Sequence, residues 1–153
     1  MVVLGRGAAG KSVLSRQLGA LVGAPVVELD ELFWRSPDLE PPAPEEWRAV
    51  QEGLVGEPAW ILDGDLGPHD VLDVRLRAAD TVLVLDFSLA RCVWRALCRS
   101  RERIDFWRWV VTYRRRWKPR ILAAVRQHAP TAELRVLRSP RQVSEFLRAV
   151  GRT

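Results

Sequence analysis

The chain of 153 residues has little of what marks several functional classes. It has two cysteines and two histidines, and Cys92 and Cys98 match no metal or redox spacing, so we interpret both as reduced packing residues. No apolar run approaches the roughly 18 residues that a membrane span requires. The stretch Met1–Leu4 ends at Gly5, which is not typical of a secretory signal. From these absences we expect a cytoplasmic protein with no membrane partner.

Lysine is also rare, because 22 of the 24 basic residues are arginine. Eleven basic residues lie between Arg91 and Arg120, and the net charge is +5. A basic surface attracts both nucleic acid and nucleoside phosphates, so charge alone does not separate these partners. We find no recognisable DNA-reading motif, and a nucleic-acid partner therefore remains an option that no motif supports.

The order of apolar and amphipathic stretches predicts an α/β fold. Five apolar runs separated by helical patterns indicate a five-stranded parallel sheet with helices on both faces. We expect one domain over residues 1–153 and a loop at the proline-rich segment Ser36–Pro44. The predicted strands are Met1–Leu4, Pro25–Leu29, Ala59–Leu62, Thr81–Leu85 and Glu133–Leu137. The predicted helices are Ser12–Val22, Glu45–Val55, Asp70–Ala78, Arg91–Gln127 with a break or kink before Pro119, and a last helix capped by Ser139 with Gln142 completing a capping box.

One motif carries specific chemistry. The segment that begins at Gly5 fits G-x-x-x-x-G-K-[ST] in full, follows an apolar strand and opens a helix. Backbone N–H groups of such a loop hold phosphate oxygens, Lys11 reaches the β- and γ-phosphates, and the Ser12 hydroxyl is a Mg²⁺ ligand. A Gly/Ala-rich turn that matches by chance is the alternative. The predicted ATP-binding residues are Gly5, Arg6, Gly7, Ala8, Ala9, Gly10, Lys11, Ser12 and Val13.

Three aspartates, Asp30, Asp63 and Asp86, follow predicted strands, where ligands of parallel sheets bind. A magnesium–ATP site needs a carboxylate near Ser12. Asp86 follows the most hydrophobic strand, and Asp63 has a rival claim because Gly64 lets the chain turn close to a ligand. Asp30 is a candidate base toward an acceptor hydroxyl. The alternative for each aspartate is a cap of the next helix or turn.

Arginines and aromatic residues alternate in the basic region. Arg91, Arg95 and Arg99 share one helix face, and planar guanidinium groups suit the charge that spreads over a transferring phosphoryl group. A solvated helix face with salt bridges is the alternative. The aromatic residues interleaved with these arginines have helical spacing, which favours core packing over base stacking.

As a set, these motifs resemble the adenylate kinase superfamily, and within it the DNA topology modulation protein group, which is adenylate-kinase-like. The matching segments are Gly5–Ser12, Leu29–Trp34, Trp60–Gly64, Asp80–Phe87, Arg114–Arg116 and Pro119–Leu122.

The resemblance implies a three-layer P-loop NTPase fold, ATP and Mg²⁺ as cofactors, and a short lid-like segment at about residues 101–118. It also implies roles for individual residues. Asp63 would join Ser12 at the metal, Arg95 would cover adenine, and Arg99 would bind phosphate. The remaining roles are a phosphate clamp at Arg114, Arg115 and Arg116 and an adenine cradle at Arg138 and Ser139.

The chain departs from nucleoside monophosphate kinases at two positions. Ala8 stands where those kinases have a loop glycine. The turn Asp63–Gly67 has no arginine for an acceptor phosphate, and Asp65 would repel one. AMP is therefore disfavoured as the acceptor, unless Arg35, Arg75 or Arg77 replaces the missing arginine.

The leading hypothesis is a phosphotransferase that moves the γ-phosphate of ATP to an unidentified small acceptor: a nucleoside, a nucleotide or another hydroxyl compound. The catalytic candidates are Lys11, Asp63, Arg99 and Asp30. The alternative hypothesis is a nucleotide-binding regulatory protein without a dedicated acceptor, with contact to DNA as an option.

Overall fold

The computed structural model describes residues 1–34, 41–99 and 104–152, except the side chains of residues 68, 99, 104–106 and 109. Within these residues the strands are β1 Val2–Gly5, β2 Val26–Glu28, β3 Ile61–Asp63, β4 Thr81–Leu85 and β5 Glu133–Leu137. These five strands form one parallel sheet in the order β2-β3-β1-β4-β5, which confirms the predicted sheet.

Helices cover both faces of the sheet because successive strand side chains point to opposite sides. The helices are α1 Lys11–Val22, α2 Leu29–Phe33, α3 Pro44–Val55, α4 Leu72–Ala78, α5 Leu89–Arg99, α6 Ile104–His128 and α7 Pro140–Val150, and Gly67–His69 forms a single 3₁₀ turn. Val2 and Leu4 of β1 belong to one buried cluster, with side chains of α3, α4 and α6, whereas Val3 belongs to a second cluster with side chains of α1, α5 and α7.

The pairing register brings the ends of three strands together. Central β1 pairs Val3 with Asp63 of β3, and Gly5 with Leu85 of β4. The loop after β1 therefore leaves the sheet between the ends of β3 and β4, at the edge where parallel α/β sheets bind their ligands.

Several predicted boundaries differ from the structure by one or two residues, and one predicted break does not occur. The second predicted strand stops at Glu28, and α2 begins at the next residue, with no Gly or Pro between them to signal the change. The predicted break before Pro119 is absent, since α6 continues through this proline. Tyr113 and Ile121, on either side of it, are buried in the same core, so tertiary packing outweighs the loss of one helical hydrogen bond.

Two other predictions fall partly outside the described residues. These are residues 36–40 of the predicted loop and residues 101–103 of the lid-like segment. The remainder of the lid-like segment, from Ile104 onward, belongs to α6. None of the helices in the described ranges is both long and apolar enough to cross a bilayer.

Candidate active site

The loop between β1 and α1 has a curled backbone that only small residues permit. Gly5 has φ of +147°, and a Cβ there would lie 2.6 Å from the carbonyl oxygen of Leu85. Gly10 has φ of +98°, and the Ala9 N–H donates to the Arg6 carbonyl at 3.1 Å. The tight contact with β4 at Gly5 and the left-handed turn at Gly10 thus hold the loop in a narrow curve.

The first turn of α1 opens directly from this loop. Gly10 is its N-cap and contributes no side-chain cap, and the described first turn contains no acidic residue. The N–H groups and the positive end of the helix dipole at this point favour an anion. Lys11 is the first helical residue and is largely buried, and its charge acts on Asp30, Asp63 and Asp65.

Asp63 and Ser12 form the part of the site suited to a metal ion. Asp63 is 3% exposed, and its Oδ1 is buried without a hydrogen-bond partner. Burial raises the pKa of Asp63, while Lys11 and the neighbouring Ser12 side chain oppose the rise. Mg²⁺ prefers carboxylate and hydroxyl oxygens together with water and substrate phosphates, so this donor pair fits Mg²⁺. An orphaned buried carboxylate oxygen is costly, and a cation or its water shell would satisfy it.

Asp86 occupies the corresponding place after β4 but has different neighbours. Its buried carboxylate accepts from Lys118 Nζ at 2.6 Å and from Arg114 Nε at 3.0 Å. Burial opposes ionisation, yet the hydrogen bonds from Lys118 and Arg114 hold the pKa of Asp86 below its usual value. Asp86 therefore anchors α6 to the sheet, and Arg114 of the predicted phosphate clamp is held in this ion pair.

Asp30 lies in the first turn of α2, beside the turn after β3. A Cβ on Gly64 would lie 3.0 Å from the Cβ of Leu29 and 3.6 Å from the backbone nitrogen of Asp30. The Asp30 side chain is open to solvent, yet the surrounding protein desolvates it in part and raises its pKa, against the opposing charge of Lys11. An accessible carboxylate near the loop lysine is suitably placed to receive a proton from a bound hydroxyl.

Arg75 forms a buried network that sequence reasoning did not foresee. It is fully buried, and its guanidinium donates to both oxygens of Asp70, at 2.6 and 2.7 Å, and to the Gly64 carbonyl at 3.0 Å. The Gln51 side chain accepts at 3.0 Å. Through its hydrogen bond to the Gly64 carbonyl, Arg75 stabilises the turn after β3.

The arginines considered as substitutes for the missing acceptor arginine do not take that role among the described residues. Arg75 is buried in its network, and the exposed Arg77 pairs with Asp73 at 3.4 Å. Arg35 lies outside the described residues.

A groove of about 210 Å³ lies beside the loop, on the side of β4 and β5. Its lining includes Gly10 and Val13 of the loop region, Arg91 and Arg95 of α5, and Pro140 of α7. The Arg95 guanidinium approaches Gly10 so closely that a Cβ there would lie 3.1 Å from it. The groove therefore lies between the phosphate loop and the arginine side chains of α5. This arrangement suits a nucleotide, whose phosphates bind the loop while its base lies against the groove wall. A larger depression of about 370 Å³ follows β2 and α2, and no loop residue lines it.

The other residues predicted to contact the nucleotide lie on α5 and α6 and at the start of α7. Arg138 is exposed, and Ser139 caps α7, where its Oγ accepts from the Gln142 N–H at 3.3 Å. The Gln142 side chain reaches back to the Arg138 N–H at 2.6 Å, one residue earlier than in the predicted capping box. Arg115 and Arg116 are exposed on α6. The side chain of Arg99 lies outside the described part of the chain, and its predicted role stays a prediction.

The sheet order, the loop and the helices on both faces define a P-loop NTPase fold of the kinase type. No protein-family model and no curated protein sequence matches the chain. The structure is similar to a shikimate kinase from Bacteroides thetaiotaomicron, with a TM-score of 0.58 and 13% identity over 99% of this chain and 95% of that chain. It is also similar to a gluconokinase from Sinorhizobium meliloti 1021, with a TM-score of 0.54 and 15% identity over 97% of this chain and 87% of that chain. A sugar kinase from Janibacter sp. HTCC2649 has a TM-score of 0.54 and 18% identity over 95% of this chain and 89% of that chain. At these identities the likeness shows the fold.

Proposed function

We propose that the protein is a Mg²⁺- and ATP-dependent kinase that phosphorylates a small hydroxyl compound. The observation that carries this proposal is the Oδ1 of Asp63, which is buried and has no hydrogen-bond partner. Asp63 lies beside Ser12, and Ser12 is in the first turn of the helix that follows the phosphate-binding loop. The likeness to kinases of small molecules supports the same reading. Within that type, the motif order favours the DNA topology modulation protein group, a finer assignment that rests on the sequence alone.

The chain's own groups have distinct roles in this proposal. The loop N–H groups and Lys11 bind the β- and γ-phosphates, Arg95 covers the base, and Asp30 accepts the proton of the acceptor hydroxyl. That oxygen attacks the γ-phosphorus, the bond to the β–γ bridging oxygen breaks, and the products are ADP and a phosphate monoester. Ser12 and Asp63 would hold Mg²⁺, which neutralises charge on the phosphates when it is bound.

The test is transfer of labelled γ-phosphate from ATP to a panel of nucleosides, nucleotides, sugars and other hydroxyl compounds. We expect a labelled product with the wild-type protein and a loss of at least a hundredfold in Lys11→Ala, with thermal unfolding unchanged. Arg126→Ala removes an exposed positive charge on α6, far along the chain from the loop, and serves as the matched control. Unchanged transfer in Lys11→Ala would contradict the assignment of the phosphate loop as the site of a kinase. ATP binding without any product would instead favour the nucleotide-binding regulatory protein.

A further inference from the structure

Asp65, in the turn after β3, has a carboxylate that the proposed transfer does not use. Its Oδ1 accepts the Gly67 N–H at 3.3 Å, whereas its Oδ2 is buried and has no hydrogen-bond partner. Burial raises the pKa of Asp65 to about 6, and the charges of Lys11 and Arg75 oppose the rise. Because a buried, orphaned acceptor is costly, this oxygen is suited to a donor that arrives with a ligand.

Beyond Lys11, which the proposed transfer assigns to the phosphates, the described segments 28–34 and 41–78 offer no uncommitted cation for an anionic ligand. Arg75 is committed to Asp70 and the Gly64 carbonyl, while Arg48 and Arg77 both pair with Asp73. These three are the only basic residues, histidine aside, in the described ranges 28–34 and 41–78. The same ranges contain eleven acidic residues: Glu28, Asp30, Glu31, Glu45, Glu46, Glu52, Glu57, Asp63, Asp65, Asp70 and Asp73. These described segments therefore carry an excess of negative charge that disfavours an anionic acceptor, in contrast to the arginine-lined nucleotide side.

An aromatic surface lies next to this turn. Trp34 is 41% exposed at the end of α2, and its ring stands edge-on to His69, with centroids 6.4 Å apart. His69 belongs to the 3₁₀ turn that begins two residues after Asp65, and both rings contact Phe33. An accessible aromatic wall beside hydrogen-bond acceptors is the combination that binds a ring with an apolar face and polar substituents.

We propose that the acceptor is an uncharged ring compound with free hydroxyl groups, bound through a hydrogen bond to Asp65 against Trp34 and His69. A hydroxyl on this ring donates to Asp65 Oδ2, and another lies toward Asp30 and the γ-phosphate. This inference rests on the proposed kinase function and names its substrate class. Free sugars and nucleosides share the required chemistry, and the experiment separates them.

The experiment compares matched acceptor pairs that differ by one anionic group. Each aldohexose is paired with its uronic acid, which keeps the sugar ring, and each nucleoside with its 5′-monophosphate. Two quantities are measured for each acceptor: the transfer of labelled γ-phosphate from ATP, and the binding of the acceptor in the presence of Mg²⁺ and ADP. The binding measurement distinguishes the two members of a pair even when the transfer is very slow. We expect the neutral member of one pair to bind and react at least tenfold better, and the pair concerned identifies a sugar or a nucleoside.

Asp65→Asn keeps an oxygen for the Gly67 N–H and replaces the acceptor at Oδ2 with an NH₂ donor. We expect about a tenfold higher KM for the neutral acceptor, with the Kd for ATP unchanged, and Glu52→Gln on exposed α3 serves as the charge control. Preferred use of the anionic members, equal binding of both members, or an unchanged KM in Asp65→Asn would overturn the inference. Preferred use of the anionic members would leave the proposed kinase function intact and change only its substrate class. The kinase proposal itself would fail if the protein did not bind ATP, or if ATP binding did not depend on Lys11.

Discussion

Arg75 and Asp70 form a buried two-point ion pair, with both charged side chains almost fully removed from solvent. The pair is also hydrogen-bonded to Gln51 and to the Gly64 carbonyl, so it links α3 and α4 to the turn that carries Asp63 and Asp65. The geometry of the proposed metal and acceptor groups therefore depends on a salt bridge that contacts neither ligand. In such a network each charge is satisfied only while its partner is present.

We expect Arg75→Met to lower the free energy of unfolding by about 3–5 kcal/mol, because it leaves Asp70 buried without a cation. Chemical denaturation measures this change. Arg77→Met is the matched control: Arg77 is exposed and its pair with Asp73 is on the surface, so we expect a change of at most about 1 kcal/mol. Equal effects of the two substitutions would contradict the structural role of Arg75.

The ion pairs of Asp86 predict a dependence of stability on pH. The pKa of Asp86 is lowered in the folded protein, so its contribution is complete above the unfolded value of 3.8 and is lost as the pH falls through the folded value. We expect Asp86→Asn to be less stable at neutral pH by about 1–3 kcal/mol, a moderate cost because Lys118 and Arg114 can still reach water. As the pH falls below 3.8 and through the lower folded pKa, the two proteins should approach the same stability. A difference that is independent of pH would contradict this account.

Ala8 has φ of +58°, a left-handed conformation that a side chain disfavours by roughly 1–2 kcal/mol. Ala8→Gly relieves this strain but gives the unfolded chain more freedom, which costs about 0.4–1 kcal/mol. We therefore expect a net stabilisation of about 0–1.6 kcal/mol, with ATP binding retained. Urea denaturation in the absence of nucleotide measures it. A loss of stability on this substitution would mean that the alanine methyl group makes packing contacts that outweigh the strain.

Removal of the metal tests the roles of Ser12 and Asp63. We expect chelation of Mg²⁺ to weaken ATP binding to the wild-type protein at least tenfold, because the phosphates then lose their neutralising cation. Asp63→Asn should bind ATP with a much smaller dependence on Mg²⁺, as titration calorimetry with and without the metal would show. If Asp63→Asn kept the full dependence on Mg²⁺, the metal would be held elsewhere.

The fold was more predictable from the sequence than the site was. Continuous apolar runs such as Thr81–Leu85 indicate buried parallel strands, and the spacing of Gly5, Gly10 and Lys11 indicates the loop, because both are local patterns. The sequence predicts a break or kink before Pro119 from local propensity, but α6 does not break there, because buried side chains on both sides of the proline pack in one core.

The partners of the carboxylates could not be read from the sequence. Asp63 and Asp86 both follow apolar strands and are equivalent as a pattern. Only the three-dimensional structure places Asp63 beside Ser12 and Asp86 against Lys118. Likewise, nothing local marks Arg75 as buried, since its role depends on α3 and on the Gly64 carbonyl.

The central position of β1 has a consequence for how the protein gains its ligand-binding ability during synthesis. The loop follows the first strand, but that strand is held between Asp63 on one side and Leu85 on the other. A nascent chain that has not yet released Leu85 from the ribosome therefore has the complete loop sequence without the frame that shapes it. Retention on immobilised nucleotide would accordingly report late assembly of the native topology, and early truncated products would pass through unbound.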